Sequence, residues 1–317
     1  MTDSVGAELL APLAGSSVLV TGGAGFVGSR LAGALAEVCD VTVLDDLTTG
    51  TLAAVPDRAK LVRGDVRDVE TVVPLVTEAD VVFHQAALAD VRTSVRSPVE
   101  THTRNAGGTV TVLDAARRTD TRVVLASTAA VYGRPDSLPV RESDPKRPTS
   151  PYGVAKLAAD GYARTYADLY GLETVVLRYF NVYGADRRDG APDVVSTFAE
   201  RARAGEPLVV HGDGSQTRDF VHVDDVVQAN VRAATTDDTG RAFNVGTGER
   251  TSIRSVAQRV RRATNATSDL RPGDVDHSCA AIDRARESLG YEPTVGIDAG
   301  LRSVVRGSAP ADWHAVD

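Results

Sequence analysis

The chain has 317 residues, of which 42% are apolar and 25% charged, and its net charge at pH 7 is −8. This composition is typical of a soluble globular protein, and it excludes a disordered tail, a collagen-like repeat and a small disulfide scaffold. No basic stripe could neutralise a nucleic-acid backbone and no run of about 18 apolar residues could span a bilayer, so we expect neither nucleic acid nor a membrane as partner. The N-terminus does not resemble a signal peptide and the two cysteines, Cys39 and Cys279, lie far apart, so we expect a cytoplasmic protein.

Short β-branched apolar runs alternate with helical patterns through the first half of the chain. Such runs suit strands that are buried on both faces, and the alternation predicts a doubly wound parallel α/β sheet. The predicted strands are 17–20, 41–44, 61–63, 81–83, 123–125 and 174–177, and the predicted helices are 29–37, 105–117 and 152–170.

The pattern loosens from about residue 185. A polar loop over 184–192 and a helical pattern over 194–204 precede strand-like pieces at 208–211, 220–223 and 243–245. We therefore predict a first domain over residues 1–184 and a smaller mixed α/β domain over residues 185–317, with some crossing of the chain between them.

A glycine-rich turn follows the first predicted strand and opens a helix. Gly22, Gly25 and Gly28 have the spacing that permits a tight turn, close approach of backbone to a pyrophosphate and close helix–strand packing. Asp45 ends the second strand, where a carboxylate would bind ribose hydroxyls and, with Asp46, repel a 2′-phosphate. The sequence therefore predicts an NAD-binding first domain. An ordinary strand–helix turn is the alternative for the glycines alone.

Tyr152 and Lys156 lie one helical turn apart, directly after Ser150 and Pro151, which are favoured at the N-cap and first position of a helix. Lowering a tyrosine pKa from about 10 to about 7 requires roughly 4 kcal/mol of preferential phenolate stabilisation. An ammonium about 4 Å away, at an effective dielectric of about 20, supplies roughly that amount. Lys156 is one of only three lysines, and hydroxyl-bearing Thr128 ends a strand upstream. We therefore interpret Tyr152 as a base, rather than as a buried aromatic beside a surface charge.

These motifs resemble the extended short-chain dehydrogenase/reductase family from residue 17 to about 293. Within that family, with its Rossmann domain, the chain is most similar to nucleotide-sugar 4-epimerases of the UDP-glucose 4-epimerase type. The residues that carry the resemblance are the glycine turn, Asp45, Ser127-Thr128, 131–133, Tyr152, Lys156, 178–184, 212–214, 218–220, 243–246 and 271–274.

The resemblance implies an NAD-dependent isomerase that interconverts UDP-glucose and UDP-galactose through a transient 4-keto sugar. Tyr152 would take the 4-hydroxyl proton, Thr128 would bind the same oxygen, and Lys156 would hold the nicotinamide ribose and lower the tyrosine pKa. The cofactor-binding residues would be Gly22, Gly25, Phe26, Val27, Gly28, Asp45, Asp46, Asp65, Val66, Gln85, Ala86, Ala87, Asn105, Tyr152, Lys156 and Tyr179. The substrate-binding residues would be Ser94, Thr128, Asn181, Val195, Arg218, Arg271, Asp274 and Ser278.

Several of these residues have simpler alternative roles. Asp65 could be a helix N-cap, and Arg218 and Arg271 could form surface salt bridges. Ser278 falls where the family restricts the sugar pocket, and its small size implies room for a 2-acetamido group. Ala281 stands where the family has an aspartate, and we expect a lost cap or salt bridge there.

Ala129 and Ala130 follow Thr128, where the family's dehydratases and decarboxylases carry an acidic residue. Their absence favours an epimerase, with a UDP-glucuronate 4-epimerase or a 4-keto-reductase as alternatives. A non-catalytic dinucleotide sensor is the alternative of another class, although such proteins typically lose the tyrosine–lysine pair. No metal is expected, and the resemblance suggests a homodimer built on helices around residues 100–117 and 152–170.

Overall fold

The computed structural model describes residues 6–185, 193–264, 268–271 and 277–307. Within these residues the strands are β1 Ser17–Thr21, β2 Asp40–Asp45, β3 Lys60–Arg63, β4 Val81–His84, β5 Arg122–Thr128, β6 Thr174–Tyr179, β7 Asn181–Tyr183, β8 Leu208–His211, β9 Thr217–Arg218, β10 Phe220–His222, β11 Arg241–Val245, β12 Thr251–Ser252 and β13 Ser268–Arg271. The α-helices are α1 Ala7–Leu10, α2 Phe26–Leu35, α3 Val69–Thr77, α4 Val91–Arg96, α5 Pro98–His102, α6 Gly108–Thr119, α7 Pro151–Tyr170, α8 Val194–Arg203, α9 Val223–Thr235, α10 Ile253–Thr264, α11 Asp283–Leu289 and α12 Ile297–Arg306.

Seven parallel strands form the central sheet, in the order β11-β6-β5-β4-β1-β2-β3. Val18 of β1 lies opposite Val41 on one side and Val81 on the other, so β1 is the strand at which the order reverses. The predicted doubly wound parallel α/β sheet is confirmed. Ligands of such sheets bind outside the carboxyl ends of the strands at this reversal point.

The two faces of the sheet are buried by different helices, as the nearly continuous apolar strands predict. Val18 and Val20 belong to one apolar cluster, which includes Leu31 of α2, whereas Leu19 belongs to the other, with Val112 of α6. Each fully buried side chain of this size contributes about 1.5–3 kcal/mol to folding. Because successive apolar side chains of β1 point to opposite faces of the sheet, helices pack against both faces.

The strand-like piece at 243–245, which follows the predicted domain boundary, is part of the main sheet. It lies in β11, where Phe243 is opposite Leu177 of β6 in the main sheet. Helix α9 packs against the same sheet, with Val226 in the first apolar cluster. The chain thus returns to the sheet after residue 185, and the division between residues 184 and 185 remains a prediction.

The rest of the second half packs around its own apolar cluster. Phe198 of α8, Leu208 of β8, Val256 of α10 and Leu301 of α12 are buried together. Strand β13 pairs in parallel with β8. No helix among the described residues is long and apolar enough to cross a bilayer.

Candidate active site

A cavity of about 590 Å³ opens at the carboxyl ends of the central strands. It brings together most of the residues that the sequence singled out. Those lining it are Gly22, Gly25, Phe26, Val27, Gly28, Asp45, Asp46, Asp65, Val66, Gln85, Ala86, Ala87, Thr128, Tyr152, Lys156, Tyr179 and Asn181.

The glycine turn between β1 and α2 has no room for side chains. Gly22 has φ +70°, and a Cβ there would lie 2.6 Å from the backbone nitrogen of Ala86. A Cβ on Gly28 would overlap the carbonyl of Gly22. Helix α2 begins after Gly25 without a side-chain cap. The first turn of the helix lines the cavity, and the N-terminus of a helix is a favourable position for a phosphate.

Asp45 is held by backbone at the end of β2. Its carboxylate accepts hydrogen bonds from the N–H groups of Ala24, at 2.9 Å, and Leu47, at 2.8 Å. Burial raises the pKa of Asp45, and these two hydrogen bonds oppose that rise. The carboxylate is therefore fixed at the cavity wall.

Asp46 and Asp65 are each paired with an arginine. Arg104 lies 2.5 Å from Asp46, and Arg67 lies 2.5 Å from Asp65. Burial would raise the pKa of Asp46, but hydrogen bonds with Thr48 and Arg104 outweigh it and lower that pKa. Sequence reasoning missed Arg104, which lines the cavity and offsets part of the negative charge expected to repel a 2′-phosphate.

The N-cap role considered for Asp65 is not observed. Helix α3 is capped instead by Asp68, whose side chain accepts from the N–H of Glu70. The Asp65 carboxylate accepts from the Nε and Nη2 atoms of Arg67, and the hydrogen bonds lower its pKa.

His84, at the end of β4, is a structural residue. Its Nδ1 lies 2.7 Å from Thr21 Oγ1, and its Nε2 lies 3.0 Å from Thr109 Oγ1. Because the Thr109 hydroxyl donates to the carbonyl of Asn105, its oxygen accepts from Nε2–H, and Nδ1 accepts from Thr21. Burial lowers the pKa of His84 to about 3, so the ring stays neutral.

Asn105 does not line the cavity. It is fully buried, and its amide bonds the backbone N–H and C=O of Leu88, at 2.7 and 3.0 Å. It lies in a π-helical turn, Thr103–Gly107, which replaces the start of the helix predicted over 105–117. Asn105 thus holds Leu88, which lines the cavity, and its contact with the cofactor stays a prediction.

Gln85 and Tyr179 join strands β4 and β6 to helix α9. The Tyr179 hydroxyl lies 3.1 Å from Gln85 Oε1, and the Asn230 side-chain nitrogen donates to the same hydroxyl at 2.8 Å. Asn230 was not expected from the sequence, because it belongs to the half of the chain assigned to the second domain.

Helix α7 places Tyr152 and Lys156 on the cavity wall. Ser150 caps this helix by accepting from the N–H of Gly153 at 3.1 Å, as predicted. The Lys156 side chain is 3% exposed, and its Nζ donates to the carbonyl of Ala126 at 2.8 Å. Burial lowers the pKa of Lys156 to about 8. Thr128 lines the same cavity and accepts from the N–H of Ala130.

Two predicted substrate residues lie away from the cavity. Ser94 is fully buried, and its hydroxyl donates to the carbonyl of Val91 within α4. Val195 is 1% exposed and belongs to the apolar cluster around α8. Their side chains serve packing in this structure.

The other predicted substrate residues lie in the second half of the chain. The Ser278 hydroxyl is buried and has no partner among the described residues. Arg218 donates to the carbonyl of Thr217. Arg271 ends β13, and Asp274 lies outside the described residues.

Asp219, in a motif that carried the resemblance, is a buried support for these loops. Its carboxylate accepts from the N–H groups of Thr247, Gly248 and Ala280 at 2.7–3.0 Å. Near it, α11 starts at Asp283, and its N-cap residue Ile282 supplies no side-chain cap. The cap or salt bridge expected to be lost at Ala281 stays a prediction.

Other residues that line the cavity were not singled out from the sequence. They are Leu44, Thr48, Thr49, Gly64, Leu88, Ala89, Asp90, Thr93, Arg104, Ala126 and Asp193, whereas Ser127, Phe180 and Val182, which also line it, stand in motifs that carried the resemblance. Most adjoin a predicted residue in the chain, which is the only signal that could have identified them.

Comparison with known proteins agrees with this geometry. Residues 18–246 match the family described as NAD dependent epimerase/dehydratase family. The chain is 39% identical to UDP-glucose 4-epimerase of Mycolicibacterium smegmatis over 303 residues, which covers 90% of this chain and 96% of the relative.

Solved structures of epimerases superimpose on the fold. The crystal structure of UDP-glucose 4-epimerase from Thermotoga maritima with UDP-glucose has a TM-score of 0.87 at 34% identity, covering 92% of this chain and 98% of that one. The Thermus thermophilus UDP-glucose 4-epimerase complex with NAD has a TM-score of 0.84 at 38% identity, covering 92% and 98%. The chain therefore belongs to the NAD-dependent epimerase/dehydratase family.

Proposed function

We propose that the protein is an NAD-dependent nucleotide-sugar 4-epimerase that interconverts UDP-glucose and UDP-galactose, a reaction of galactose metabolism. The observation that carries the proposal is that Tyr152, Lys156 and Thr128 share one cavity with the glycine turn. The relatives that are UDP-glucose 4-epimerases support the choice of substrate.

The chain's own residues fit NAD. The glycine turn lets a diphosphate approach the backbone at the start of α2, and Asp45 is held where an adenosine ribose would lie. Lys156 and Tyr152, which line the same cavity, would hold the nicotinamide end. When bound, NAD would supply the hydride chemistry, taking a hydride from C4 of the sugar and giving it back to the other face, so that no external oxidant would be consumed.

Tyr152 would take the proton from the sugar 4-hydroxyl and later return it, with Thr128 bonding the same oxygen. The pKa of about 8 leaves roughly nine-tenths of Lys156 protonated at pH 7. Among the described residues, Lys156 forms no ion pair with a carboxylate. Its charge is therefore available to stabilise the phenolate.

The uridine diphosphate would be bound by Asn181, Arg218, Arg271 and Asp274, because guanidinium groups suit diphosphate oxygens. The small side chain of Ser278 supports acceptance of UDP-N-acetylhexosamines as well. Both assignments follow from the family resemblance.

The protein is proposed to act as a homodimer in the cytoplasm, where the thiols of Cys39 and Cys279 would stay reduced. Seven of the nine large, exposed apolar side chains in the described part of the chain lie on α4, α5 and α7, which pack together. They are Val91, Val95, Val99, Val154, Tyr162, Leu169 and Tyr170. A second copy of the chain would cover this face.

Sedimentation tests the dimer. The double variant Leu169→Glu, Tyr170→Glu should sediment as a monomer, whereas Leu52→Glu, at an exposed site elsewhere, should not change the assembly. A wild-type protein that is monomeric would refute the dimer.

Incubation with single nucleotide sugars tests the activity. Purified protein with NAD far below the sugar concentration receives UDP-glucose, UDP-N-acetylglucosamine or UDP-glucuronate, and the products are separated by chromatography. Interconversion of UDP-glucose and UDP-galactose is expected. Turnover of UDP-glucuronate alone would indicate a uronate epimerase. A requirement for stoichiometric NADH would indicate a reductase, and the absence of any conversion would indicate a non-catalytic sensor.

A further inference from the structure

A second cavity lies against the edge strand β11, and none of its lining residues lines the active-site cavity. Its volume is about 510 Å³. The side chains that line it come from the segment after β5, from α7, β6, β11 and α11. They are Glu142, Lys146, Arg164, Arg178, Arg241 and Arg284, with backbone at Gly240 and Ala242.

The cavity concentrates positive charge on a protein whose net charge is −8. Five of its six charged lining side chains are cations. The carboxylates that pair directly with them, among the residues the structure describes, are Glu142, Asp160 and Asp238. Among the described residues the five cations therefore outnumber their three paired carboxylates by two, because Arg164 and Arg178 share Asp160 and Lys146 has no carboxylate within ion-pair distance.

The floor of the cavity is rigid. Arg178 is 2% exposed, and its guanidinium binds both oxygens of Asp160, the Tyr132 hydroxyl and the Glu142 carbonyl. Lys146 also bonds the Glu142 carbonyl, and its Nζ lies 5.5 Å from the centre of the Tyr132 ring. Burial, then the charge of Arg178, lowers the pKa of Lys146, while the charges of Asp160 and Asp144 oppose that fall.

The more exposed arginines of the cavity, Arg164, Arg241 and Arg284, use only some of their hydrogen-bond donors within the described part of the protein. Arg164 uses its Nε for Asp160, at 2.9 Å, and Arg241 uses both its Nε and its Nη1 for Asp238, at 2.9 and 3.3 Å. Arg284 donates from Nη1 to the Ala242 carbonyl at 3.2 Å, and its Nε is 3.8 Å from Glu142. Each of the three arginines keeps at least one guanidinium nitrogen without a partner among the described residues, and all three line the same cavity. Guanidinium groups of this kind suit tetrahedral oxyanions.

We propose that this cavity binds a small phosphate-bearing anion, of the size and charge of a diphosphate. The excess of two positive charges matches a multivalent anion better than a single carboxylate. The site is separate from the active site and does not depend on the proposed activity.

Calorimetric titration with pyrophosphate tests the proposal. The protein is first saturated with NAD and UDP, so that the active-site cavity cannot take the probe. We expect one further binding event, weakened about a hundredfold in the double variant Arg241→Gln, Arg284→Gln, because each of the two lost charge-assisted hydrogen bonds is worth about tenfold. Epimerase activity and the circular dichroism spectrum should be unchanged in this variant.

Arg286→Gln is the matched control, because Arg286 lies on the same helix as Arg284 but pairs with Glu292 outside the cavity. It should bind pyrophosphate like the wild type. A wild-type protein that binds no pyrophosphate, or a double variant that binds it unchanged, would overturn the proposal, as would citrate binding as tightly as pyrophosphate. A titration with ADP distinguishes a free diphosphate from a nucleotide as the ligand. Equal affinities for ADP and pyrophosphate assign the site to the free anion. Tighter binding of ADP than of pyrophosphate, lost in the double variant, assigns it to a nucleotide.

Discussion

Replacing Lys156 with methionine should stabilise the protein at neutral pH while removing its epimerase activity. Burial lowers the pKa of Lys156 from 10.5 to about 8, so holding its proton at pH 7 costs about 3 kcal/mol at roughly 1.4 kcal/mol per pKa unit. The lost hydrogen bond to the Ala126 carbonyl removes about 1 kcal/mol of this gain. The variant should therefore unfold with a free energy about 2 kcal/mol higher than the wild type.

The pH dependence of this difference is the sharper signature. Since the pKa is lower in the folded state, the unfolded chain binds the extra proton between about pH 8 and pH 10.5, and the lysine's penalty on folding disappears as pH rises through that window. The advantage of Lys156→Met should be complete at pH 7 and absent by about pH 10.5. Above that pH the lost hydrogen bond should leave the variant slightly less stable.

Urea unfolding of the NAD-free proteins, followed by circular dichroism at several pH values, measures the difference. Lys60→Met, at an exposed lysine, provides the control and should show no such pH dependence. A variant that is less stable than the wild type at pH 7, or an advantage that persists at pH 10.5, would refute the reasoning.

Three further changes test other parts of the site. Tyr152→Phe should lower turnover at least about a hundredfold with an unchanged melting temperature, and substantial residual turnover would contradict its role as the base. Gly22→Ala should weaken NAD binding and lower the free energy of unfolding by about 1–3 kcal/mol, because φ is +70° and the new Cβ would clash with the backbone of Ala86. Gly33→Ala is the control and should be tolerated, since its Cβ would lie 3.7 Å from Pro56. Equal NAD affinities of the two variants in a fluorescence titration would contradict this prediction. Thr21→Val should lower the free energy of unfolding by about 1–3 kcal/mol, since it leaves Nδ1 of the buried His84 ring unpaired. Thr77→Val, at an exposed threonine, is the control, and an equal loss of stability in both variants would refute the assigned hydrogen bond.

The central sheet could be predicted from the sequence because its strands are buried on both faces and read as continuous apolar runs. The membership of 243–245 could not, because a short apolar run carries no information about which strand it pairs with. Only the structure shows Phe243 opposite Leu177 in the main sheet.

The candidate site likewise contains residues that the sequence could predict and residues that only the structure shows. Residues fixed by local chain geometry, such as the glycine turn and Tyr152 with Lys156, were placed near one another by spacing alone. The arginine that pairs with Asp46 comes from a distant helix, so no spacing could reveal Arg104. Ser94 and Val195 turn inward because their own helices bury those faces, which a family pattern does not specify.

Strand β11 follows its partner β6 only much later in the chain, and this order matters during synthesis of the protein. The edge of β6 stays uncovered until residues 241–245 have left the ribosome, since those residues provide its outer neighbour. A fragment ending at residue 184 would expose a long hydrophobic edge of the kind that promotes aggregation. The two halves of the gene product should therefore not be separable by truncation, however distinct their roles in ligand binding.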